Sequence, residues 1–189
     1  MEKLNFQSFV KPFLDYIDNG NFFRQPVKIL YMIIGALNAL LPFYLLYQLI
    51  DSGVFEFAGT GMIFGIVISW LIMLGGFVFV GILWWTRAEQ FDTMAGQGDE
   101  YPVTPVFAHI VRTSGEAFGV IVGVILFLVT LVMLVFAGET GLSALNSLGD
   151  FGWASLLILP VTGFFIIVTS RFLSEQIRAI VNIAQNTKK

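Results

Sequence analysis

MIFGIVISWLIMLGGFVFVGILWW (Met62–Trp85), followed at once by Thr86-Arg87, contains no charged residue and one side-chain hydroxyl, Ser69. A bilayer core of about 30 Å is crossed by roughly 20 apolar residues in a helix, so this stretch is long enough to span one. It is apolar all round. A helix of a soluble domain needs a polar face to meet water, and this one has none.

Outward from it lie three more runs of the same kind: Val27 to Ile50, Ala117 to Ala137 and Trp153 to Thr169. None contains an acid, and Lys28 is the only base, placed where its stem can snorkel. The fourth run is slightly short and is completed by Ser170 and a snorkelling Arg171. At 57% hydrophobic and 12% charged, the chain is far from a soluble domain, where about a quarter of residues are charged.

The segments between the runs alternate in charge. Lys3, Lys11, Arg24 and Lys28 precede or edge the first run, Arg87 and Arg112 lie between the second and third, and Arg171, Arg178, Lys188 and Lys189 follow the fourth. The two remaining connections carry only acids, Asp51 and Glu56 in one, Glu139 and Asp150 in the other. Basic segments stay on the cytoplasmic side of a membrane, so the pattern predicts both termini inside. The fold class is an all-α integral membrane protein of four transmembrane helices in two hairpins. The expected location is a bacterial cytoplasmic (inner) membrane. The first run begins too late and is too long for a cleavable signal, so it is expected to remain as an anchor. With no Cys, disulfides and thiol metal sites are excluded. The bases are too few and scattered for a nucleic-acid surface.

Five segments follow. Residues 1–25 hold an amphipathic helix: Phe6, Phe9, Val10, Phe13, Leu14 and Ile17 recur at helical spacing. Asn19-Gly20 supplies its left-handed stop. It lies in the membrane interface or packs on the protein's own cytoplasmic side. Residues 26–95 form the first hairpin with a cytoplasmic extension, opened by Pro26 near a helix start and kinked near Asn38 and Pro42. Residues 96–104 are a flexible link. Residues 105–170 form the second hairpin, restarted by Thr104-Pro105 and running unbroken to about Ala137. Leu142, Leu145 and Leu148 suggest a small interfacial turn in its outer connection. Residues 171–189 are an amphipathic extension with Phe172, Leu173, Ile177, Ile180, Val181 and Ala184 on one stripe. The hairpin exits, Thr86-Arg87 with Glu89-Gln90 and Ser170-Arg171 with Glu175-Gln176, hint at an internal duplication.

Two glycine ladders mark close helix contacts, within the chain or between subunits: Gly61, Gly65 and Ser69 in the second span, Gly115, Gly119 and Gly123 entering the third. Gly75-Gly76 marks a bend or close crossing. His109, Arg112 and Glu116 share a helix face by spacing. As function they would form a pH-sensitive cluster at the cytoplasmic mouth; the preferred reading is a solvated ion-pair face worth a few tenths of a kcal/mol. Within that face Glu116 borders the apolar run and is expected to pair with Arg112, Arg87 or Arg171. Asn38, Thr130 and Thr162 are the candidate buried polar or pathway residues. No mid-depth carboxylate, Lys or Arg is present in the spans, which disfavours ion or proton pumping by a single copy.

No catalytic, cofactor or metal signature is present. The expected activity is therefore that of a non-enzymatic membrane scaffold or subunit. It would engage the lipid bilayer and either a second copy, as a homo-oligomer, or a larger membrane complex. A small oligomeric channel or transporter with its pathway between subunits is the alternative.

Overall fold

The computed structural model describes residues 6–18, 20–93, 103–145 and 152–187. Among these every regular element is helical, and four helices are long and apolar enough to cross a membrane. They are Asn21–Asp51, Thr60–Thr93, Val103–Ala144 and Ser155–Thr187, of 31, 34, 42 and 33 residues. At 1.5 Å per residue each exceeds the roughly 30 Å of a bilayer core, so all four continue beyond it.

Helix α1 (Phe6–Asp18) ends at Gly20, whose φ of 72° is the left-handed value that glycine adopts without a Cβ penalty. Helix α2 (Asn21–Asp51) starts directly after this stop, so Pro26 lies inside α2 and not at its first turn, a correction to the expected boundary. The turn at Gly20, not the proline, sets where α2 begins. After α2, Gly53 (φ 68°) leads into the one-turn α3 (Val54–Phe57), and α4 (Thr60–Thr93) returns.

The third span is composite. Helix α5 (Val103–Val120), with Thr104-Pro105 in its first turn, passes into a π-helical turn over Ile121–Leu126 and then α6 (Phe127–Ala144). The expected link over 96–104 lies mostly outside the described residues. Gly138 within α6 has φ 59° and ψ −142°, a conformation open essentially to glycine. There the chain folds back, and Gly141 comes against the Met133 carbonyl and the Ala137 side chain. Leu142 is thereby buried and Leu145 packs on the core. This differs from a turn lying on the membrane; Leu148 falls outside the described residues. Helix α7 (Ser155–Thr187) completes the chain.

The spans pack mainly as a row. Helix α4 contacts α2 and the third span, the third span contacts α7, and α2 touches the third span only at α5. Each hairpin is closed by glycines crossing backbone to backbone. A Cβ on Gly35 would stand 2.9 Å from the Gly81 carbonyl oxygen. One on Gly119 would stand 2.8 Å from that of Gly163. The offset that carries Thr86-Arg87 onto Ser170-Arg171 also carries Gly35 onto Gly119.

Both glycine ladders are taken up inside the chain. A Cβ on Gly61 would collide with the Phe136 carbonyl, and one on Gly65 would meet Met133 Sδ at 3.2 Å, so this strip receives α6. Gly115, Gly119 and Gly123 face Ser170, Ile167 and Gly163 of α7. Gly76 takes Ile125 of the π-helical turn, while Gly75 looks into open space. With Cβ atoms absent, dispersion contacts between backbones replace the hydrophobic drive that lipid removes.

Candidate functional site

At the basic end of the row a single carboxylate gathers three helices. Glu116, at the α5 position where the apolar run begins, has a side chain only 6% exposed. Arg87 of α4 donates from Nη2 to its Oε2 at 2.6 Å. Arg112, one turn back on α5, donates from Nε to Oε1 at 3.0 Å. Arg171 of α7 donates from Nε to the same oxygen at 3.0 Å, with Nη2 at 2.8 Å. All three partners expected for Glu116 thus bind it together. Lys28, placed in the sequence as a snorkelling base, reaches Asp92 of α4 at 2.7 Å and ties α2 to α4 at the same end.

The cluster is not the solvated face expected from helical spacing alone. His109 is 1% exposed and Glu116 5%. The reason is that α5 packs against α4, α7 and, through Tyr31, α2, so His109 and the Glu116 carboxylate meet side chains while Arg112 and Arg171 keep contact with water. His109, though on the same face of α5, does not join the carboxylate. Its Nε2–H donates to the Arg87 carbonyl oxygen at 3.0 Å, and its ring is enclosed by aromatics. Tyr31 stacks on it at 5.7 Å between centroids and 15° between planes. Phe91 meets it edge-on at 4.8 Å. Tyr31 in turn has Trp84 at 4.7 Å and Phe91 at 5.1 Å, both edge-on.

This aromatic box is a part of the site that sequence reading misses. Trp84, Ala88 and Phe91 recur at helical spacing and are all buried. Phe91 stands among Glu89, Gln90 and Asp92, where an apolar residue on a polar helix end is a signal for packing. Tyr31 carries no such signal, because α2 is apolar on every side. Its hydroxyl and that of Thr113 are buried without a hydrogen-bond partner among the described residues.

The three candidate pathway residues are not brought together. Asn38 Nδ2 donates to the Ile34 carbonyl within α2 at 2.8 Å. Thr130 is buried, and its Oγ1 donates to the Leu126 carbonyl at 2.8 Å. Thr162 is exposed on α7, and α7 is not a packing neighbour of α2. Ser69 is buried with its hydroxyl unpartnered among the described residues.

Chemically, the basic end is a clamp. A carboxylate held by three guanidiniums has its lone pairs engaged and is not placed to take a proton from a substrate. Three guanidiniums on one carboxylate also leave excess positive charge at this end. Among the described residues no three His, Cys, Asp or Glu side chains gather as a metal would require. Helix α7 continues past Arg171 to Thr187. Ile177, Ile180, Val181 and Ala184 line a shallow groove with Thr104 of α5, and Phe172, Leu173, Ile180 and Ile183 are exposed. No protein-family model matches the chain, and neither a curated protein nor a solved structure does.

Proposed function

We propose that this chain is a non-enzymatic, multi-pass membrane scaffold or subunit that self-associates through the outer stripe of α7 on the cytoplasmic side. In this reading both termini are cytoplasmic, the membrane is a bacterial inner membrane, and α1 lies in the interface. The convergence of Arg87, Arg112 and Arg171 at one level supports that orientation, since basic residues collect on the cytoplasmic face. The exposure of Phe13 and Leu14 on α1 supports an interfacial helix. A reporter fusion that puts either terminus outside the cytoplasm overturns the orientation.

The observation that carries self-association is the stripe beyond Arg171. Within the bilayer, exposed apolar side chains are solvated by lipid. Past the hub they are not, and Ile180 and Ile183 are each 66% exposed. An apolar face in water marks a surface awaiting a partner. A second copy suits it because the stripe of Phe172, Leu173, Ile180 and Ile183 is free of charge, with Glu175 and Arg178 exposed on other faces of the helix. Two copies related by a two-fold axis along the membrane normal can therefore meet stripe to stripe with no charge buried between them.

The test is the mass of the protein in mild detergent or nanodiscs, for the wild type and for I180E with I183E. The expected result is an oligomer for the wild type and a folded monomer for the variant. A strictly monomeric wild type overturns the proposal.

A further inference from the structure

A second feature lies toward the acidic end, away from the arginines. Helices α2 and α6 both pack on α4 but scarcely on each other, and between them is a cavity of about 370 Å³. That volume falls within the range of about 300–1,000 Å³ typical of small-molecule sites. Its lining on α4 runs from Met62 to Phe77, roughly 22 Å along the helix axis. The cavity is therefore a slot.

Its walls carry no charged residue, and its polar groups are few. Ser69 is 6% exposed, and its Oγ is fully buried without a partner among the described residues. Thr130 spends its proton on the Leu126 carbonyl, leaving its oxygen able to accept. The indole N–H of Trp70 is engaged by the Pro42 carbonyl at 3.0 Å, which fixes that wall. At the acidic end Val54, just after the left-handed Gly53, and Ala144-Leu145, beyond the fold-back at Gly138, complete the lining.

We propose that this slot binds one linear aliphatic ligand from the membrane, carrying a hydrogen-bonding oxygen that pairs with the otherwise unpartnered hydroxyl of Ser69 as that hydroxyl turns about χ1 into the slot. A transmembrane helix of a partner does not fit. A helix about 10 Å wide and as long as the slot needs several times this volume. The slot lies within the spanning part of the helices, so the molecules that reach it are those dissolved in lipid. An unfilled apolar void forfeits dispersion contacts along its whole wall, and a single chain restores them. A hydrocarbon alone would leave the Ser69 hydroxyl unpaired. An alcohol or carbonyl oxygen would satisfy it, and the penalty on an unpaired buried hydroxyl selects for that chemistry.

Trp70 on the slot wall serves as the reporter. A mid-chain dibrominated fatty alcohol, its methyl ester and an oxygen-free dibromoalkane of the same length are titrated into nanodiscs holding the intact protein. The expected result is saturable quenching of tryptophan fluorescence that is lost in W70F. S69A is expected to bind the alcohol and the ester about fivefold more weakly, the worth of one neutral hydrogen bond, with the alkane unchanged. Filling the slot with V129F, or with M73F should V129F fail to fold, abolishes saturable quenching for all three. Quenching that rises linearly with bromolipid content and is the same in the filled variant overturns the site. Equal affinity of the alcohol for wild type and S69A overturns the oxygen requirement. These outcomes are independent of oligomeric state.

Discussion

Glu116 shows how burial ranks contacts that look equivalent in a list of ion pairs. Its own side chain is 6% exposed, while Arg87, Arg112 and Arg171 are 19%, 31% and 52% exposed. Removing the carboxylate by Glu116→Gln strands three guanidiniums that water partly screens, so the expected cost is about 1–3 kcal/mol, above that of an exposed pair. Arg171→Gln leaves the carboxylate with two donors and frees a half-exposed side chain, a change of about 0–1 kcal/mol. Thermal unfolding in detergent checks both, and a milder effect for E116Q than for R171Q contradicts the hub. At Tyr31 the ring and the hydroxyl are expected to act unequally. The Tyr31 hydroxyl lies beside that of Thr113 without a short hydrogen bond, so Tyr31→Phe should change stability by less than about 1 kcal/mol. Tyr31→Ala empties the aromatic box and should cost about 3–5 kcal/mol. Glu116 and its partners are legible in the sequence because charge at the edge of an apolar run must be paired. Tyr31 is not, because its partners depend on which faces of two uniformly apolar helices meet.

At the scale of elements, three glycines separate distinct uses of the same residue. Gly138 has φ 59° and is needed for its backbone, so Gly138→Ala should cost about 1–3 kcal/mol although nothing crowds the site. Gly75 is helical with open space around it, so Gly75→Ala should stabilise by about 0.4–1 kcal/mol. Gly119 is needed for approach, and Gly119→Leu would force α5 off α7 through Ile167 and Gly163. Its expected effect is loss of the hairpin's stability, read as a lowered melting temperature, rather than loss of assembly alone. The spans and both ladders are legible from apolar length and four-residue glycine spacing. The π-helical turn at Ile121–Leu126, the fold-back at Gly138 and the Gly35–Gly81 crossing are not. Helices apolar all round have no polar face to reveal the buried side, so register between spans is decided by shape that composition does not carry.

For the whole molecule, a row of spans differs in consequence from a closed bundle. Each end helix keeps a broad apolar flank, and the gap between α2 and α6 becomes the slot along α4. Lipid satisfies the flanks within the bilayer. In the proposed orientation it does not reach α7 beyond Arg171, and the proposed assembly turns on that difference. The chain has no Cys, so a cysteine introduced singly reports proximity without background. Ile180→Cys and Ile183→Cys, oxidised one at a time in native membranes, address the interface directly, with Thr162→Cys on the exposed mid-span face of α7 as the control. The expected result is a disulfide-linked dimer from position 180 or 183 and monomer from position 162. Monomer at both 180 and 183, under conditions that fully consume the free thiol, contradicts self-association through α7.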